Sequence, residues 1–179
     1  MTASSEHQRL FFALWPNAAV RDAVAELFRG PLKTLRGRKV AFNNVHITLA
    51  FLGSLDVEHR NCIQQVASQV QGRRFELQLN QLGYWARPKV VWLGPKDVPA
   101  AASEFQQGLV HALQNCGYVP EKRPFQPHLT LLRKVYKPVP DMAIGNIVWP
   151  VDDFVLVRSN TLSTGVEYEV IGRWPLLQN

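Results

Sequence analysis

HITLAFLG at residues 46–53 and RPFQPHLTLLRK at residues 123–134 share one tetrapeptide pattern, His46-Ile47-Thr48-Leu49 and His128-Leu129-Thr130-Leu131, with the two histidines 82 residues apart. Both copies sit in apolar, strand-like surroundings. Successive side chains on a strand point to opposite faces, so His46 shares a face with Thr48 and His128 shares one with Thr130. The intervening aliphatic residues take the other face and can pack under a helix. A lone histidine with a threonine two residues on is usually a satisfied core pair. A second copy changes that balance: with six threonines and five histidines in the chain, two His-x-Thr triplets arise by composition roughly once in a hundred sequences. The pattern therefore predicts two strands that present two imidazoles and two hydroxyls to a common cleft.

Working outward, the chain reads as two comparable halves. RLFFAL (9–14) is a short buried strand, followed by an Asn17-capped helix with Val20, Ala23, Val24, Leu27 and Phe28 on one face until Gly30. Residues 31–44, with Lys33, Arg36, Arg38 and Lys39, read as an exposed basic loop. The first His-x-Thr strand (45–52) leads into a helix capped by Asp56 that carries Val57, Ile63, Val66, Ala67 and Val70. FELQLNQL (75–82) and KVVWLG (89–94) read as two strands joined through Gly83 to Pro88. Pro99 sits in the first turn of a helix that places Ala102, Phe105, Leu109, Leu113 and Cys116 on one face and ends at Gly117. The second His-x-Thr strand follows at 128–132. FVLVRSNTL (154–162) and EYEVIGRW (167–174) form a closing hairpin around Thr164-Gly165. Strand and helix units interleaved with hairpins predict an α+β fold with mixed or antiparallel sheets. The 82-residue spacing fits a duplicated lobe better than a solenoid, so residues 1–179 are expected to form one two-lobed domain around a central cleft.

Composition excludes several classes. Of the 179 residues 46% are hydrophobic and 19% charged, which fits a globular chain and not a disordered one. No apolar run approaches a bilayer span, and MTASSEHQRLFFALWP lacks the features of a secretory signal. The expectation is a cytoplasmic monomer with no membrane contact, in which Cys62 and Cys116 are free thiols. A net charge of +6 favours an anionic partner.

Paired histidines suit phosphodiester displacement. An imidazole titrates near neutrality, so one ring can take a proton from the attacking oxygen while the other gives one to the leaving oxygen. Thr48 and Thr130 can hydrogen-bond the non-bridging oxygens. No metal or cofactor is expected, because neither motif carries a carboxylate or cysteine at ligand spacing.

On these residues the chain resembles the two-histidine phosphoesterases. RLFFAL, HITLAFLG, VVWLGP (90–95) and RPFQPHLTLLRK make it similar to their bacterial branch, the RNA 2',3'-cyclic phosphodiesterases, also called 2'-5' RNA ligases. The resemblance implies a bilobal α+β fold and a substrate of RNA with 2',3'-cyclic phosphate ends, tRNA fragments among them. It implies hydrolysis to a 2'-phosphomonoester, with 2'-5' ligation as the reverse reaction. It also implies that His46 is the proton donor and His128 the acceptor.

The supporting residues each admit two readings. Strand alternation turns both Arg133 and Phe51 away from the cleft, whereas the resemblance sets Arg133 on the phosphate and a curved strand end would let Phe51 stack on a base. The basic loop, with Arg87 and Lys89, is either an RNA track or a solvated surface. His7, His59 and His111 read as bystanders. The rival functions are an RNA-end-binding module without chemistry, a metallohydrolase, and a phosphoesterase of the same kind acting on another cyclic phosphate.

Overall fold

The protein is described from a computed structural model, over residues 7–163 and 165–178. Thr164, one half of the anticipated hairpin turn, lies outside the described residues. The elements run β1 (Gln8–Leu14), α1 (Ala18–Arg29), β2 (Arg38–Lys39), a 3-10 turn (Phe42–Asn44), β3 (Ile47–Leu55), α2 (Val57–Gln69), β4 (Phe75–Leu79), β5 (Gln81–Trp85), β6 (Val90–Gly94), α3 (Ala100–Leu113), a second 3-10 turn (Gln114–Cys116), β7 (Leu129–Arg133), β8 (Ile147–Val151), β9 (Asp153–Leu162) and β10 (Gly165–Pro175). The strands form two four-stranded sheets, ordered β10-β9-β1-β3 and β2-β7-β6-β5, and a β4-β8 ribbon, all with antiparallel pairing.

The duplication is visible in the connectivity. β1–α1–β3 in the first half matches β6–α3–β7 in the second: in each, a helix links two neighbouring antiparallel strands, and the histidine precedes the second strand. α1 and α2 start at the caps the sequence indicates. Asn17 Oδ1 accepts from the Val20 amide at 3.0 Å, and Asp56 caps α2 through the His59 amide at 2.9 Å. Pro99 lies just outside α3 rather than in its first turn. Val20, Val24, Leu27 and Phe28 of α1, and Ala102, Phe105, Leu109 and Leu113 of α3, are buried in one apolar core that runs beneath both sheets. Val57 departs from expectation: at the first position of α2 it points outward.

Four departures have physical causes. First, residues 31–44 are not simply a loop, since Arg38 and Lys39 pair with Arg133 and Leu132 and so extend the second sheet. Second, FELQLNQL divides at Asn80. β4 pairs with β8, a Pro-containing strand that reads poorly in sequence, while β5 pairs with β6. Third, Gly83 lies inside β5 opposite Trp92. A Cβ there would fall 2.0 Å from the indole, so the glycine is required by close approach and not by a turn.

Fourth, Cys62 and Cys116 are not free thiols. They form a disulfide, with Cα atoms 5.8 Å apart across a sequence separation of 54. α2 packs on α3 and its trailing turn, and it is this tertiary contact, which no spacing rule encodes, that brings the two sulfurs together. Closing a loop of that length is worth about 4 kcal/mol in the chain-entropy picture. Reduction, or Cys62→Ser, is therefore expected to lower the unfolding free energy by about 2–4 kcal/mol. Urea denaturation with and without reductant reads this directly, and coincident curves would show that the bond adds nothing. Among the described residues no helix is long and apolar enough to cross a membrane.

Candidate active site

His46 and His128 each occupy the residue just before their strand, and each ring is fixed by its own backbone. His46 Nδ1 lies 2.6 Å from the Asn44 carbonyl, and His128 Nδ1 lies 2.7 Å from the Gln126 carbonyl. A carbonyl only accepts, so both Nδ1 atoms carry hydrogen, which leaves Nε2 of each ring as the proton-exchanging nitrogen. Asn44 is itself held across the molecule, where its Nδ2 donates to the Val166 carbonyl at 3.0 Å. Both rings sit against aromatic side chains. His46 stacks on Trp15 at 5.6 Å and meets Phe11 at 4.7 Å and Tyr168 at 5.2 Å. His128 meets Trp85 edge-on at 4.6 Å and Trp92 at 6.4 Å.

These aromatic surroundings set the electrostatics. Desolvation lowers the His46 pKa to about 4, outweighing the Asn44 hydrogen bond that opposes it; the positive charges of His128, Arg133 and Arg21 lower it further. His128 is lowered mainly by the same desolvation, with Arg133 adding to it. Each ring is thus poised to lose its proton until an anion arrives.

A cleft of about 700 Å³ is lined by both histidines and both threonines, Thr48 and Thr130. Arg9, Arg38, Lys39 and Arg133 also line it, and no Asp or Glu is among the described residues that do. Such a surface favours a multiply oxygenated anion. Among the described residues no three of His, Cys, Asp and Glu stand together as a ligand set.

Arg133 and Phe51 both line this cleft, against the alternation rule. The cause is the same in each half. In the β1–β3 pairing Ala13 faces Thr48 and Phe12 faces Ala50, so Leu49 is an extra residue. In the β6–β7 pairing Trp92 faces Thr130 and Val91 faces Leu132, so Leu131 is extra. Each bulge buries two consecutive residues, Leu49-Ala50 and Leu131-Leu132, and shifts the beat by one. The side chain five places after each histidine therefore swings onto the cleft side. The first bulge is braced by the other half of the molecule, because Gln106 Nε2 on α3 donates to the Leu49 carbonyl at 3.0 Å. Gln106→Leu is expected to cost about 1–3 kcal/mol of unfolding free energy by orphaning that carbonyl. An unchanged urea midpoint would show that the bulge needs no brace.

Of the basic loop, Arg38 and Lys39 reach the cleft, while Lys33 and Arg36 do not line it. Arg87 and Lys89 do not line it either, and the Lys89 ammonium lies 4.2 Å from the Tyr136 ring centroid. Arg9, Phe11, Asn44, Trp85 and Tyr168 are cleft residues that sequence reasoning missed. Three of them are aromatics in or beside strands, where the pattern signals only core.

Two bulged His-x-Thr strands, one from each of two matching halves and both opening on one cationic cleft, define a two-lobed α+β protein of the two-histidine phosphoesterase kind. The chain belongs to the 2'-5' RNA ligase superfamily, whose family model matches residues 16–161. It is 34% identical over 175 residues to the RNA 2',3'-cyclic phosphodiesterase of Escherichia coli (strain K12), covering 97% of this chain and 99% of that protein. The crystal structure of E. coli LigT complexed with 3'-AMP superposes with a TM-score of 0.89 at 33% identity, covering 97% of this chain and all of that one. TT0787 of Thermus thermophilus superposes with a TM-score of 0.78 at 26% identity, over 94% of this chain and 97% of that one.

Proposed function

We propose that this protein is an RNA 2',3'-cyclic phosphodiesterase that opens a terminal 2',3'-cyclic phosphate to a 2'-phosphomonoester, with His46 and His128 as its acid and base. The observation that carries this reading is the matched pair of imidazoles, each with Nδ1 tied to a backbone carbonyl, on one cleft bearing four cationic side chains. His128 Nε2 takes a proton from water as the water oxygen bonds to phosphorus. The bond from phosphorus to the 3'-oxygen breaks, and His46 Nε2 delivers a proton to that oxygen. Thr48, Thr130 and Arg133 hold the non-bridging oxygens as their charge grows, and Phe51 stacks on the terminal base. The whole chain acts as one two-lobed catalytic unit, a monomer working without metal on cytoplasmic RNA ends such as tRNA fragments. By microscopic reversibility the same site can join a cyclic end to a 5'-hydroxyl through a 2'-5' bond, with water the far more abundant competitor.

The test is incubation of an oligonucleotide 2',3'-cyclic phosphate with the protein in excess chelator. The expected outcome is full activity and a product whose phosphate stays on the 2'-hydroxyl. A 3'-phosphate product would reject the assigned bond cleavage. Loss of activity in chelator would reject the metal-free mechanism, and binding without turnover would leave only an RNA-end-binding module.

A further inference from the structure

Behind Phe51 lies a second cavity of about 510 Å³, whose walls include Ser54, Asp56, His59, Tyr118 and Val119. Phe51 is the one described residue that lines both this cavity and the cleft, and it is 43% exposed. The two spaces differ in chemistry. The cleft has four cations and no carboxylate, whereas the second cavity has no Lys or Arg among its described lining residues. Its single carboxylate, Asp56, is engaged by the amide and Nδ1 of His59 at 2.9 and 2.8 Å. A phosphate would find no Lys or Arg there, only the imidazoles of His7 and His59, while a flat heterocycle would find aromatic faces in Phe51 and Tyr118 and polar edges in Ser54 and His59.

Arg9 stands at the seam between the two spaces. It lines the cleft, its guanidinium lies 5.5 Å from the Phe51 ring centroid, and its cross-strand partner is Ser54 of the second cavity. The order cationic cleft, Arg9, aromatic pocket follows the order of a nucleotide chain. Cys116 forms part of the pocket wall, and its bond to Cys62 ties that wall to α2.

We infer that the second cavity is a binding site for the base of the nucleotide 5' to the cyclic end, with the linking phosphodiester held by Arg9. This rests on the catalytic reading above and extends it from the reacting phosphate to recognition of a chain. The experiment compares kcat/KM for a nucleoside 2',3'-cyclic phosphate and for the dinucleotide ending in that same group. Wild type, Tyr118→Ala and Val119→Glu are each measured; Val119 is 81% exposed, so its substitution leaves the fold unburdened.

Stacking of one base on aromatic side chains predicts a wild-type preference for the dinucleotide of about tenfold or more. Both variants should bring the ratio to within about twofold of unity, while mononucleotide turnover holds steady. Equal wild-type rates, or a preference that survives both substitutions, would overturn the inference while leaving the catalytic reading intact. Absence of turnover on either substrate would overturn both.

Discussion

Replacing either imidazole, as His46→Ala or His128→Ala, should lower kcat by between about 10²- and 10⁴-fold, the range for a positioned general acid or base. The two losses should be of similar size, because proton removal from water and proton delivery to the 3'-oxygen belong to one displacement. The double variant should then be little worse than either single one, as happens when residues act as a unit. Circular dichroism and urea denaturation must show each variant folded, since His46 also fills space among Phe11, Trp15 and Tyr168. A folded single variant that loses less than about tenfold would remove that histidine from the chemistry.

The second large effect is pH dependence. A phosphodiester substrate stays singly anionic between pH 5 and 9, so the profile belongs to the protein. In the proposed mechanism turnover requires one proton on the histidine pair, which makes the expected profile a bell whose limbs belong to the pair and not to one residue. Desolvation lowers both pKa values, His46 to about 4. The kcat/KM bell, which reports the free enzyme, should therefore peak below the ordinary histidine value of about 6.5 and fall up to tenfold per pH unit on its alkaline side. In the complex the substrate's negative charge favours imidazolium, so the kcat bell should lie at higher pH. Desolvation leaves His46 unprotonated in the free protein, so it can serve as the proposed donor only once the bound anion restores its proton. A flat profile, or a kcat/KM maximum above pH 7, would reject this account.

Folding carries the same signature. The unfolded chain takes up a proton near pH 6.5 that native His46 resists until about pH 4. Stability should therefore fall as pH drops through that window, and the fall should be smaller in a His46→Asn variant, as thermal unfolding at each pH would show.

Much of this was written locally. The caps at Asn17 and Asp56, the buried faces of α1 and α3, and the paired His-x-Thr strands all follow from periodicity and side-chain chemistry over a few residues. What stayed hidden depends on partners distant in the chain. A bulge is a property of two strands, so alternation along β3 or β7 alone sends Phe51 and Arg133 to the wrong face. Gly83 looks like a turn until the Trp92 ring is placed against it. The Cys62–Cys116 bond waits on how two helices lie together. Arg9 and Tyr168 look like routine strand residues because nothing nearby marks which face will be hollow.

The matching kinks in β3 and β7 have one more consequence. The two halves offer the incoming diester nearly interchangeable equipment: imidazole, hydroxyl, then an inserted aliphatic residue. At the place where each strand resumes, however, one half presents a benzene ring and the other a guanidinium. Under the proposed function, that one difference in an otherwise shared motif gives the cleft a heading, with the flat face of the substrate to one side and its charge to the other.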